Sequence, residues 1–291
     1  MSTVPEPVQV DLAQVRGRVL RDILRNPLGV TGGVLLLVVI AAALLAPWIA
    51  PYSPAEVHFD APFQQPLTIG YALGTDDLGR DILSRLLHGA RTSLQVGGLS
   101  VLLAIMIGTP LGLLAGFWPV LDAIVSRLTD LMLAFPFLVL AVGLAAINGP
   151  SLTNAAIALG VAQIPTMIRV VRAETLRFKG KDFVLAARGL DASGPRILAQ
   201  HILPNATSAI IVQATVIMPV AVIGEATLSF LGLGIQPPTP SLGVMLADAQ
   251  QYLVRAPTAA IFPGLVILLI CLGFNLFGDA LRDALDPTTR R

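Results

Sequence analysis

The sequence is poor in the residues that soluble enzymes use for chemistry. It has one cysteine, Cys271, so no internal disulfide and no cysteine-rich metal site is possible. Its three histidines, His58, His88 and His201, lie too far apart for a metal-ligand spacing. No G-x-x-x-x-G-K-[ST] phosphate loop occurs, so the chain does not hold ATP by that route. No Ser/His/Asp set, catalytic acid pair or nucleophile motif stands out, so no catalytic residue and no metal ligand is assigned. Charge is scarce as well. Charged residues make up 13% and the net charge is +1, which argues against a nucleic-acid partner.

What the chain has instead is apolar length. Hydrophobic residues make up 55%, and the mean hydropathy is +0.78. Leu28–Ala50 is a run of 23 residues, about 34 Å as a helix. That crosses a ~30 Å hydrocarbon core and exceeds a signal-peptide core. Further apolar spans are expected at about Leu94–Phe117, Leu128–Ile147, Leu152–Val171, Ala206–Leu231 and Ala259–Phe277. Gly108, Gly112 and Gly116 put small residues on one face of the second span, where helix backbones can approach closely. Prolines fall inside these later spans, among them Pro110, Pro136, Pro165 and Pro219. Trp118–Arg127 reads as a short connection, with Trp118 suited to a membrane interface. The expectation is an all-α membrane protein with six transmembrane helices.

The longest polar run beyond the N-terminal third is Arg172–Asn205. Seven Lys and Arg residues lie between Arg169 and Arg196. Phe183, Ala186, Ala187 and Leu190 follow i, i+3, i+4, i+7 spacing and form one apolar stripe on a short helix. A second short helix starts near Pro195, with Ser193 or Gly194 as cap, and is expected to end at Pro204. Orientation follows from basic residues. With both termini and this loop inside, the outer segments 51–91 and 232–258 hold Arg80, Arg85, Arg91 and Arg255. The other fifteen of the nineteen lie inside, in line with the positive-inside rule. The basic loop then faces the cytoplasm.

Few polar groups interrupt the apolar spans. Glu225 is costly in hydrocarbon, so it must face a bundle interior, a cavity or a partner. It reads either as a group on the translocation pathway or its gate, or as a structural hydrogen bond between helices. Asp76, Asp77 and Asp81 read as solvated carboxylates at a helix start, where the helix dipole favours them. An interfacial helix is expected within Leu73–Leu94. Asp122, Arg127 and Asp130 read as a local ion pair at the membrane interface.

AARGLDASGPRILAQHILPN resembles the EAA loop of the permeases of ABC importers, closest to the peptide/nickel type. EATLSFLGLGIQPPTPSLG, from Glu225 to Gly243, and LGTDDLGRDILSRLLHGARTSL resemble the same family. Together the likeness spans about residues 20–286. The sequence departs from the usual pattern at Leu185 (usually Glu), Asp191 (usually Gly) and Leu242 (usually Trp). The resemblance implies a type I ABC importer transmembrane domain of the C type in a bacterial inner membrane. Its segments would be a cytoplasmic N-terminus 1–27, a first helix 28–50, an extracytoplasmic loop 51–91, a core domain 92–280 with the coupling loop 172–205, and a cytoplasmic tail 281–291. The implied partners are a homologous B-type permease, two ATPase subunits that carry ATP and magnesium, and an extracytoplasmic solute-binding protein. No cofactor is expected in this chain. Phe183, Ala186, Ala187 and Leu190 would dock on the ATPase, with Arg188 and Asp191 as the polar rim. The implied solutes are di- or oligopeptides, with glutathione or nickel complexes as alternatives. Two other classes stay open from the residues alone. One is an ion-gradient-driven secondary transporter, which would need more intramembrane polar groups than Glu225. The other is a scaffold that moves nothing.

Overall fold

The computed structural model describes residues 21–285. Parts of the expected N-terminal segment 1–27 and tail 281–291 lie outside the described residues. Within them every long element is helical. Five helices are long and apolar enough to cross a membrane, and a sixth span is complete if one bent pair counts as a single crossing.

The first helix, α1 (Pro27–Ile49), opens at Asn26, whose side chain accepts from the Leu28 and Gly29 N–H groups. Pro27 sits in its first turn, where its missing N–H costs nothing. Next, α2 (Ile82–Phe117) is 36 residues long, about 54 Å at 1.5 Å per residue. No separate interfacial helix precedes it. Residues 73–81 are turns closed by an isolated Thr75–Asp81 bridge, and the amphipathic stretch predicted there continues directly into the second span. The reason is local: Asp81 caps the helix by accepting from Ser84 N–H, and no breaker follows until Pro110.

The segment read as a connection, 118–127, is helical. It belongs to α3 (Pro119–Leu133), which is followed by α4 (Phe137–Asn148) after a 90° bend. The break falls at Pro136, which caps α4. Proline has no N–H to bond back into α3 and disfavours the helical conformation of Phe135. Pro136 therefore divides the third span instead of lying inside it. Gly149, at φ 79°, turns the chain into α5 (Leu152–Lys179), which Ser151 caps.

Two helical pieces follow: α6 (Asp182–Gly189) and α7 (Gly194–Phe230). Pro204 was expected to end the helix that starts near Pro195, and it does not. The helix widens into a π-turn over Leu198–Ile202 and runs on. There Leu203 N–H donates to the Leu198 carbonyl, five residues back. The wider turn gives the proline ring, which lacks an N–H, room that an α-turn denies it. The end away from the basic loop is closed by α8 (Leu242–Gln250), and α9 (Thr258–Leu285) is the last candidate crossing.

The small-residue face on α2 packs as its spacing requires. A Cβ added at Gly108, Gly112 or Gly116 would stand 2.7, 2.7 or 2.5 Å from side-chain atoms of Met167, Val171 and Thr175. Both helices therefore contribute every fourth residue to one seam. Met167 and Val171 join Phe117, Val184, Ile197 and Ile202 in one buried cluster, and Leu159, Leu228 and Val244 lie in another. The first joins the basic loop to α2 and α5. The second holds α7 and α8 against α5.

Candidate functional site

The basic loop hangs from the end of α2 at Phe117 and the end of α5 at Lys179. Lys179 donates to the Phe117 carbonyl at 2.6 Å, which satisfies an end carbonyl of α2. Lys179 and Arg188 also stand 5.6 and 5.1 Å from the Phe117 ring centroid. Trp118 packs edge-on against Phe117, and a Cβ on Gly194 would sit 2.9 Å from the Trp118 ring. Between the two short helices the Ala192 N–H donates to the Ala187 carbonyl at 3.0 Å. The loop is thus one compact piece that packs on Phe117–Trp118 and on the buried cluster with Met167 and Val171.

The predicted stripe divides in two. Ala187 faces inward with Val184, and both are buried in the cluster around Phe117 and Ile197. Phe183, Ala186 and Leu190 face outward, and Leu190 is 85% exposed. Leu185, also outward, adds to this surface. The predicted face therefore loses Ala187, because the helix needs its own anchor as well as an open side. Arg188 is exposed at its helix end while its guanidinium stacks on Phe117. Asp191 is exposed and has φ 60°, in the left-handed region. Glycine adopts that conformation without a Cβ penalty, and aspartate tolerates it better than most residues. The related loops' usual glycine at this position has a backbone reason.

Glu225 is fully buried. Its two carboxylate oxygens accept from Ser93 Oγ at 2.6 Å and Ser229 Oγ at 2.7 Å. Each serine oxygen in turn accepts a backbone N–H, from Leu242 at 3.4 Å and from Ile235 at 3.1 Å. One carboxylate thereby joins α2, α7, the 231–241 loop and the start of α8. Close approach supports the knot: a Cβ on Gly243 would lie 2.6 Å from the Ala226 backbone. Ser93 and Ser229 were not read as partners. Ser93 lies 132 residues from Glu225, so only the fold brings it there, whereas Ser229 stands at i+4 on the same helix, a spacing the sequence does carry.

The three acids before α2 are at a helix start, but two of them are not solvated. Asp81 and Asp76 are buried. Asp76 pairs with Arg85 and with Arg80 Nε at 2.7 Å, and Asp248 of α8 closes the network on Arg85 at 3.0 Å. Tyr252 lies beside it, its hydroxyl 3.3 Å from Asp77. Burial, helped by the surrounding carboxylates, pushes that phenol well above its usual range.

The predicted local pairing of Asp122, Arg127 and Asp130 does not form. Asp122 instead accepts from Arg172 Nη2 at 2.8 Å, and Asp130 lies 3.2 Å from Arg169. Both bonds tie α3 to α5. Arg127 lies five residues after Asp122, off the favourable i+3 and i+4 positions; it is three before Asp130, but that carboxylate is taken by Arg169 across the helix pair. Among the described residues no group of three His, Cys, Asp or Glu side chains is placed to hold a metal ion.

Residues 108–291 match the family described as binding-protein-dependent transport system inner membrane component. Residues 16–66 match the N-terminal TM domain of oligopeptide transport permease C. The chain is 46% identical over 266 residues to the di/tripeptide transport system permease protein DppC of Pseudomonas aeruginosa, covering 89% of this chain and 88% of that protein. It is 44% identical over 271 residues to the glutathione transport system permease protein GsiD of Pectobacterium atrosepticum, covering 92% and 89%. Among solved structures, an inward-facing conformation of the MetNI methionine ABC transporter superposes with a TM-score of 0.58 at 20% identity. That superposition covers 69% of this chain and 96% of the other. At that identity the likeness is one of fold.

Proposed function

Because the chain belongs to the family of binding-protein-dependent transport system inner membrane components, we propose that it is the C-type permease of an ATP-driven importer of di- and oligopeptides, coupled to its ATPase through α6. It is a multi-pass inner membrane protein and a transport subunit, not an enzyme. The proposed assembly adds a homologous B-type permease, two ATPase subunits holding ATP and magnesium, and an extracytoplasmic binding protein. In the proposed orientation both termini and the 172–205 loop are cytoplasmic.

The observation that carries the coupling reading is the division of α6. Val184 and Ala187 are buried against the body, while Phe183, Ala186 and Leu190 are left open. Burying those side chains in a partner groove is favourable at ~25 cal/mol per Å² of apolar surface. A push on α6 reaches α2 through Arg188, Lys179 and Phe117, and reaches α7 through the continuous run from Gly194. Asp191 ends α6 at the rim of the proposed contact.

Glu225 acts in this reading as a gate element: it holds the outer ends of α2, α7 and α8 together in the closed position. Its complete burial favours that role over direct contact with solute.

The test is Phe183→Asp in the reconstituted complex. Membrane abundance should match the wild type, while peptide uptake driven by ATP falls to background. Wild-type uptake in this variant would sink the coupling role of α6.

A further inference from the structure

Outside the Glu225 knot, on the neighbouring face of α2, lies a cleft of about 370 Å³. One wall is α2, with His88, Arg91, Thr92 and Gln95, and the other is the Pro238–Thr239–Pro240 segment. The size suits a small organic solute.

The arginines of this end are sorted. Arg80 and Arg85 are bound into the carboxylate network with Asp76 and Asp248. Arg255 stacks on Phe63, 4.3 Å from its ring centroid. Arg91 is half-buried in the cleft wall, and among the described residues it has neither an ion-pair nor a hydrogen-bond partner. A guanidinium in a cleft with its fork unfilled matches a carboxylate, which it can hold through two parallel bonds. The groups beside it are assigned in the same way. Thr92 Oγ1 is spent on the His88 carbonyl at 2.9 Å. His88 Nδ1 lies 3.0 Å from the Ser84 carbonyl, so it carries the proton and leaves Nε2 free to accept. Gln95 is exposed and supplies an amide donor. A cation, an amide donor and a ring acceptor beside a proline wall match a carboxylate flanked by a peptide N–H.

We propose that this cleft receives the terminal carboxylate of a short peptide, with Arg91 as its charged contact and His88 Nε2 accepting the adjacent peptide N–H. The assignment deepens the functional reading above and rests on it.

The test uses the wild-type complex in nanodiscs with its partner permease and ATPase subunits and without the solute-binding protein. Arg91 is modified with phenylglyoxal and its labelling rate is read by peptide mass spectrometry. Alanyl-alanine, alanyl-alanine amide and acetate are compared at equal millimolar concentration. The expected result is slowing by alanyl-alanine alone; in sealed proteoliposomes supplied with the binding protein, Arg91→Gln should raise the uptake KM roughly tenfold and Arg91→Lys recover part of it, as loss of a charge-assisted contact requires. Equal labelling in all samples overturns the assignment. So does equal protection by acetate, which would leave a bare anion site. So does an Arg91 that never reacts, because the partner permease would then cover it. If Arg91→Gln instead weakens capture of the solute-binding protein and leaves Arg91 unprotected by peptide, the cleft is a docking contact and the assignment also falls. Uptake separates the two levels. If the wild-type complex with its binding protein takes up no peptide, the functional reading itself fails. If uptake is normal and Arg91 is unprotected, only the cleft assignment fails.

Discussion

Around Glu225 and Asp76 the polar side chains are buried and partnered within the chain, whereas around α6 apolar side chains are left in the open. Four segments meet at one carboxylate in the first region, and Arg80 and Arg85 are paired with Asp76 and Asp248. In the second, a helix of eight residues gives its body only Val184 and Ala187 as buried anchors. The difference separates what a fold holds for itself from what it offers. Satisfied polar groups make a region rigid. Apolar surface left open on a rigid mount is the kind of patch at which proteins meet partners, and the proposed coupling uses it.

The contrast can be broken from either side. Arg85→Ala should do the most damage to stability. It leaves Asp76 buried with a partner missing, and breaking such a pair costs about 3–5 kcal/mol. A fall in the melting temperature of the detergent-purified complex checks it, and no fall would mean the network is solvated. Glu225→Ala should cost less, about 2–3 kcal/mol, because it strands two buried hydroxyls that can partly turn to other acceptors. Glu225→Gln, which keeps one acceptor, should recover at least half of that loss in the same melting assay. Asp191→Gly should act in the opposite direction. Removing the Cβ from a left-handed residue should stabilise the loop by about 0.5–1 kcal/mol, read as slower proteolysis between Lys181 and Arg196. Phe183→Asp should change the melting temperature least, because the side chain is already exposed, with a shift within about 0.5 kcal/mol. That variant is nevertheless the one expected to stop uptake. If it melts as early as Arg85→Ala, α6 belongs to the first region and not the second.

How much of this could be read beforehand depended on how far apart the partners lie. The seam at Gly108, Gly112 and Gly116 was legible because its signal repeats within nine residues of one helix. The short helix α6 was legible for the same reason, and so was the start of α7 near Pro195, but not its continuation past Pro204. The direction of Ala187 was not: the stripe has the right period, but which part of it turns inward is decided by Phe117 and Ile197 on other elements. Pro136 and Pro204 look alike in sequence. One ends a helix and the other is absorbed by a π-turn, because the choice depends on packing around Leu198 and Ile202, which are buried, and not on the proline itself. The Asp122–Arg172 and Glu225–Ser93 bonds bridge 50 and 132 residues, beyond the reach of helical spacing.

The length of α2 has one more consequence. The helix begins at the capped Asp81 of the charged network, passes the Arg91 cleft and ends at the Phe117 to which the loop is fastened. Its internal proline, Pro110, lies within the seam, so α5 splints the place where it could flex. An occupant of the cleft and a partner on α6 therefore act on one solid bar. In the proposed assembly thermodynamic reciprocity would then apply: whatever factor the nucleotide state of an ATPase imposes on affinity at the cleft, the solute must impose on nucleotide affinity. Solute-dependent nucleotide binding and nucleotide-dependent solute binding would become two readings of a single coupling free energy, carried along 36 residues of uninterrupted helix.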